Sequence, residues 1–148
     1  MSQRNTLLTN SYLAGFIDGD GSIYVRLKPN QTYRYGYQIA PSIILFQSAK
    51  EKDKFEKICA LIGSGYIRER KDGILEYTIN RQEAILELIH KIKPYLILKK
   101  NQAELMEKIL FAKQLVKNKQ DFSKVMELIN SFGELNYSHK RVRRGLTP

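Results

Sequence analysis

The chain has 148 residues, 43% of them hydrophobic, enough for one domain with a real core and too apolar for a disordered chain. A formal charge of +10 and a pI of about 9.7 point to a polyanionic partner, nucleic acid first and an acidic membrane surface second. One cysteine, Cys59, excludes an intrachain disulfide, and with two distant histidines, His90 and His139, the chain lacks the ligands of a zinc site.

Residues 1–6 read as a short polar lead, and a first helix runs from about Leu7 to Asp20. Gly15 and Gly19 lie four apart and share a face. Each glycine costs about 1 kcal/mol of helix propensity relative to alanine. That cost implies a gain elsewhere, most simply close approach of another backbone. Asp18 and Asp20 fall where the helix ends. A carboxylate there faces the negative end of the helix dipole unless a cation is near, and a divalent metal would meet the need. A plain helix stop with solvated aspartates fits the composition equally well. A calcium loop does not fit. Counted from Asp18, its required glycine and glutamate positions hold Ile23 and Pro29.

The stretch Ile23 to Lys28 alternates as a strand. Ile23, Val25 and Leu27 point one way; Tyr24, Arg26 and Lys28 point the other. A turn over Pro29–Thr32 leads to a second strand from about Tyr33 to Gln47, with an interruption near Gly36 or Pro41 left open. Ser48 and Glu51 form a capping-box pattern. The helix they open carries Phe55, Ile58, Cys59 and Ile62 and stops at Gly63. Cys59 is a packing residue on that stripe. Tyr66–Arg70 and Ile74–Ile79 are strands joined across Asp72-Gly73. Asn80 and Glu83 repeat the capping pattern ahead of a helix bearing Ile85, Leu88, Ile89 and Ile92, which ends before Pro94.

A fourth helix is expected from Gln102 to Lys117. Ala103, Met106, Ile109, Leu110 and Val116 lie on its inner side, with Lys113 snorkelling at the edge. A fifth uses Phe122, Val125, Met126, Ile129 and Phe132 and stops at Gly133. Residues 1–133 thus form the domain. Residues 134–148 form a tail with a basic cluster at Lys140, Arg141, Arg143 and Arg144.

The outward parity of the strands gathers Tyr24, Arg26, Lys28, Gln38, Arg68, Arg70, Glu76 and Thr78, with Asn30, Tyr33 and Ile44 counted beside them. Arg suits guanine, Gln suits adenine, and Glu accepts from cytosine. The polar face of any half-exposed sheet looks similar, so charge and motif must decide. A strand of about ten residues spans ~33 Å, close to one turn of B-DNA.

The stretch Leu13-Ala14-Gly15-Phe16-Ile17-Asp18-Gly19-Asp20-Gly21-Ser22 resembles the LAGLIDADG motif of homing endonucleases over nearly its whole length. The similarity extends over about residues 7–117 to the single-motif branch, through Lys28-Pro29-Asn30-Gln31, Gly63-Ser64-Gly65-Tyr66 and Pro94-Tyr95-Leu96 with Leu98-Lys99. It implies an α+β fold of order α-β-β-α-β-β-α with an antiparallel DNA-binding sheet and extra C-terminal helices. It also implies a homodimer built about the first helix, with Leu13, Gly15, Phe16 and Gly19 in the seam.

The activity implied is a staggered double-strand break in a long, approximately palindromic DNA target, promoting intron mobility. The resemblance makes Asp20 a metal ligand, with the Gly19 carbonyl as a further one and magnesium as the fitting ion. It makes Gln47 the water-organising residue and Lys99 the active-site lysine. Position 51, where relatives can carry an active-site arginine, holds Glu, flanked by Lys50 and Lys52. Asp18 is read as structural, because two helical positions at about 100° per residue do not share a face. Two other activities on the same fold remain as alternatives: an intron-RNA-binding maturase and a non-catalytic DNA-binding regulator. With no secretory leader or transmembrane run, expression in a chloroplast, mitochondrion or prokaryotic cytoplasm is expected.

Overall fold

The computed structural model describes residues 2–136. Helix α1 spans Gln3–Asp20, starting a turn earlier than the apolar pattern suggests. Ser2 is the reason: its hydroxyl accepts the Asn5 N–H at 3.3 Å and its carbonyl the Thr6 N–H at 3.1 Å. The polar lead is therefore the first helical turn. Strand β1 (Gly21–Pro29) follows without a linker. A Cβ on Gly21 would fall 2.8 Å from Ile17 Cα and 2.9 Å from its carbonyl oxygen. Only glycine fits so abrupt a reversal.

Strand β2 spans Tyr37–Ser48 and pairs antiparallel with β1. Tyr33 and Tyr35, expected in the strand, belong instead to a turn. It closes where the Asn30 N–H donates to the Gly36 carbonyl at 2.9 Å, and Gly36 takes a positive φ of 82°. Pro41 does not interrupt β2. The ladder to the next strand reaches only as far as Ile43, so the proline's missing N–H leaves no gap in it. The parity within the apolar run is simple: Ile39, Pro41, Ile43 and Leu45 turn inward and Ile44 and Phe46 outward.

A 3₁₀ turn (Ala49–Glu51) precedes α2 (Lys52–Ile62). Ser48 caps that turn by accepting the Lys50 N–H at 3.3 Å. Glu51 pairs with Lys54 at 3.3 Å, so the expected capping box is not formed. Gly63, at φ 78°, ends the helix and donates to the Cys59 carbonyl. Strands β3 (Tyr66–Glu69) and β4 (Ile74–Ile79) complete a four-stranded sheet of order β1-β2-β4-β3, antiparallel throughout.

Helix α3 spans Gln82–Ile92. Its cap residue is Arg81 without a side-chain bond, because Asn80 lies one residue too early to serve. A 3₁₀ turn containing Pro94 leads on to α4 (Lys100–Gln114). Helix α5 spans Lys119–Leu135, capped by Asn118 Oδ1 accepting the Asp121 N–H at 2.8 Å. It runs through Gly133 instead of stopping there, held by the buried Phe132 one residue before. The predicted boundary at residue 133 therefore falls inside a helix. The basic cluster at 140–144 lies outside the described residues.

All helices lie toward one face of the sheet. Ile17, Ile23, Ile43, Leu45, Phe55, Leu75, Ile79, Ile85, Ile89, Met106, Ile109 and Phe132 form the core between them. Full burial of each such side chain is worth about 1.5–3 kcal/mol. Cys59 packs into this core, and burial pushes its thiol up to about 11. The opposite face of the sheet is left uncovered except at its β1 edge, where Tyr24 meets Phe132 of α5 edge-on at 6.3 Å.

Candidate functional site

The uncovered face is built by register. Tyr24 stands opposite Ser42, Arg26 opposite Ala40 and Lys28 opposite Gln38; Ile44 stands opposite Thr78, and Arg68 opposite Glu76. These residues line one broad groove together with Tyr66, Asn80, Gln82 and Lys113. Arg26 and Lys28 have no carboxylate partner among the described residues. Arg68 pairs with Glu76 at 3.0 Å, and Arg70 pairs with Asp72 at 2.6 Å and Glu76 at 3.5 Å. Such exposed pairs are worth about 0–1 kcal/mol, so a nucleic acid can displace them. Arg70 itself follows the end of β3, held at the turn by backbone bonds to Ile74 and Gly73.

Asn30 and Tyr33 lie in the turn between β1 and β2. Asn30 Oδ1 accepts from the Thr32 N–H at 3.0 Å and the Thr32 hydroxyl at 2.6 Å. Only its amide N–H groups remain for a ligand. Tyr33 borders a second, apolar pocket with Tyr35 and Phe122. Sequence reading does not assign Ala40, Ser42, Tyr66, Asn80 and Gln82 to this face. Parity counted across β2 finds the first two; the others depend on where the strands pair.

The end of α1 carries the second constellation. The Asp18 carboxylate accepts the Ile97 N–H at 2.8 Å and the Lys99 N–H at 3.0 Å. The Lys99 ammonium in turn donates to the Asp18 carbonyl at 2.7 Å. The exchange suits both helix dipoles. Helix α1 has no basic residue in its last turn and α4 no acidic residue in its first. Each receives the complementary charge from the other. The arrangement gives Asp18 the structural place expected of it and distinguishes Lys99 from its exposed neighbour Lys100. Burial pushes the Lys99 ammonium below the usual lysine value, while the charges of Asp18 and Asp20 pull it back up.

Asp20 is exposed at the same end of α1. Gly21, the next residue, stands opposite Leu45, so the end of β2 with Gln47 comes beside the end of α1. Gln47 Oε1 accepts the Ser48 N–H at 2.8 Å, leaving its amide N–H groups outward. Among the described residues no three His, Cys, Asp or Glu side chains cluster into a metal cage. The donors at this point are oxygens only: the Asp20 carboxylate and the carbonyls ending α1. That set fits a hard divalent cation that keeps most of its waters and takes substrate phosphate oxygens.

A Cβ on Gly15 or Gly19 would meet nothing within 4 Å. Among the described residues nothing requires glycine there. On the same helix Leu8 is 60% and Tyr12 52% exposed. Beside its end Ile97 is 84% and Leu98 71% exposed. Leu13, counted with the seam, is corrected: it is 2% exposed and faces the core of its own chain. Phe16 is half-buried and stacks on Phe55 at 6.1 Å.

The LAGLIDADG endonuclease family model matches residues 13–110. The DNA endonuclease I-CreI of Chlamydomonas reinhardtii is 33% identical over 133 residues, covering 88% of this chain and 80% of that protein. The DNA endonuclease I-CvuI of Chlorella vulgaris is 32% identical over 134 residues, covering 88% and 81%. The crystal structure of I-CvuI with its DNA target in the presence of calcium superposes with a TM-score of 0.84 at 28% identity, covering 90% of this chain and 85% of that one. Another, with the I-CreI target in the presence of magnesium, gives 0.83 at 29% identity, covering 88% and 83%. The chain belongs to the LAGLIDADG endonuclease family, as a sequence-specific homing endonuclease carrying one copy of the motif.

Proposed function

We propose that the chain acts as a homodimer that cuts both strands of a long, approximately palindromic DNA target with a stagger, promoting mobility of the intron that encodes it. The observation that carries this reading is the outer side of α1. Two helical glycines, each costing about 1 kcal/mol, face open space beside an exposed aspartate. A second copy of the same helix accounts for both. It packs backbone to backbone on Gly15 and Gly19, and it brings a second Asp20 to the seam. Exposed Leu8, Tyr12, Ile97 and Leu98 supply apolar area for it.

In this reading the uncovered sheet of each copy lies in the major groove of one half-site. Two-fold symmetry then makes the whole site about 20 base pairs and nearly palindromic. Asp20, with the Gly19 carbonyl, would hold magnesium, which would supply an activated water and neutralise charge on the leaving oxygen. Lys99, fixed by Asp18, places a positive charge beside the phosphate being cut. Gln47 turns its amide N–H groups toward the same space and orients water. Two symmetry-related sites address opposite strands, which gives the stagger. The compartment is an organelle or a prokaryotic cell; among the described residues no helix is long and apolar enough to cross a membrane.

The test is a nicking and cleavage assay on DNA carrying the joined exons that flank the intron, with magnesium, calcium and no metal. Magnesium-dependent double-strand cleavage at the junction is expected. Tight binding to that DNA without cleavage under any metal, or preference for the intron RNA, would contradict it.

A further inference from the structure

Lys113 extends the inner stripe of α4 beyond Ile109 and Leu110, where a core residue is expected. It is half-buried, and its ammonium leaves the core. The β2–β4 ladder begins at Ile43 and Ile79. Residues 37–42 of β2 therefore have β1 on one edge and no strand on the other. Ile39 and Pro41 turn their side chains to the core side, yet they border the groove on the uncovered face. The sheet is open at that edge. Lys113 borders both this groove and the apolar pocket behind Tyr35 and Phe122. Its side chain therefore stands between the two, with the ammonium toward Gln82.

At the far end its Nζ lies 3.5 Å from Gln82 Oε1, the outer limit of a hydrogen bond. Among the described residues it has no salt bridge. Holding a lysine in one place costs rotamer freedom. Here the charge also joins Arg26 and Lys28, both without carboxylate partners, on one face. The groove's one carboxylate, Glu76, is taken by Arg68 and Arg70, so among the described residues these three cations lack a counter-charge and call for an anion from outside.

We propose that Lys113 reaches through the open edge of β2 to bind a backbone phosphate of the DNA target, with Gln82 steadying its ammonium. This rests on the reading of the uncovered face as the DNA-binding one. As a point charge without a fork, Lys113 adds affinity and fixes the duplex on the sheet without reading a base.

The experiment measures binding of the full chain to a fluorescent mixed-sequence duplex, long enough for both half-sites, over a range of salt. Lys113→Met keeps the stem and removes the charge; Lys113→Gln is a second neutral variant should the first fail to fold. Each lost phosphate contact lowers the slope of log K against log salt by about 0.9, so a dimer should lose about 1.8. Lys113→Arg should restore most of that loss, and base preference in a selection should stay unchanged. An unaltered salt slope in a folded neutral variant, with normal wild-type binding, would overturn the role of Lys113 alone. A changed preference at one base position would make it a base contact and overturn the proposal. Failure of the wild type to bind any duplex would remove the DNA-face reading as well.

Discussion

The last turn of α1 has two sides that meet opposite fates. On one, Asp18 is complete within the chain: two backbone N–H groups fill its carboxylate, and Lys99 takes its carbonyl. On the other, Gly15, Gly19 and Asp20 stand open: among the described residues, nothing beyond the helix itself would come within 4 Å of a Cβ at either glycine. The two aspartates are two residues apart and chemically identical. The satisfied one is a structural clamp. The open one is the residue we propose for metal, substrate and a second copy.

Asp20→Asn should give the largest effect. It keeps the side chain's shape and removes the charge proposed to hold the cation, so cleavage with magnesium should fall to background. Folding should be unchanged, and metal-free DNA binding should hold or rise, because two negative charges leave a site facing phosphates. Cleavage and anisotropy assays check both; undiminished cleavage would place the metal elsewhere.

Asp18→Asn should do the reverse, acting first on stability. The amide offers one acceptor oxygen to two N–H donors and turns its own NH₂ on one of them. Loss of one charge-assisted bond costs about 1.5–3 kcal/mol. Denaturant unfolding should show that loss, with DNA binding retained and cleavage reduced as Lys99 loses its fixed place. A variant as stable as the wild type would mean that the clamp is not holding α1 to α4.

The smallest effect tests closure of the interior at Cys59. Its thiol titrates at about 11 in the folded chain, against 9.0 for an ordinary cysteine. Between those values the unfolded chain has released a proton that the folded chain keeps, so this group's contribution to stability falls as pH rises. Alkylation in native buffer near neutrality should be slow and should become rapid on unfolding; fast native labelling would mean that α2 opens readily.

Much of this was legible in the sequence because period and burial agree. The strands β1 and β4 alternate cleanly, and the stripe of α3 at Ile85, Leu88, Ile89 and Ile92 is buried throughout. The failures have local causes. Tyr33, Tyr35 and Tyr37 alternate like a strand, but the positive φ of Gly36 makes a turn of the first two. Ser2 caps a polar first turn that no apolar spacing announces. The motif marks Asp20 and the glycines. The partners of Asp18 lie 79 and 81 residues away, a separation that local patterns do not reach. The path of Lys113 depends on where the β4 ladder ends, which only the pairing register reveals.

The central claim is that a second copy completes the open side of α1, and mass in solution tests it most directly. Sedimentation equilibrium of the wild type should give twice the chain mass of 17.2 kDa. Gly19→Leu should shift the population toward monomer by overpacking the seam, in a position where the isolated chain has room for the side chain. The two variants' cleavage should fall in step with the dimer they retain when Gly15→Leu is measured beside it. A wild-type chain that sediments as a monomer and still cuts both strands would contradict the account.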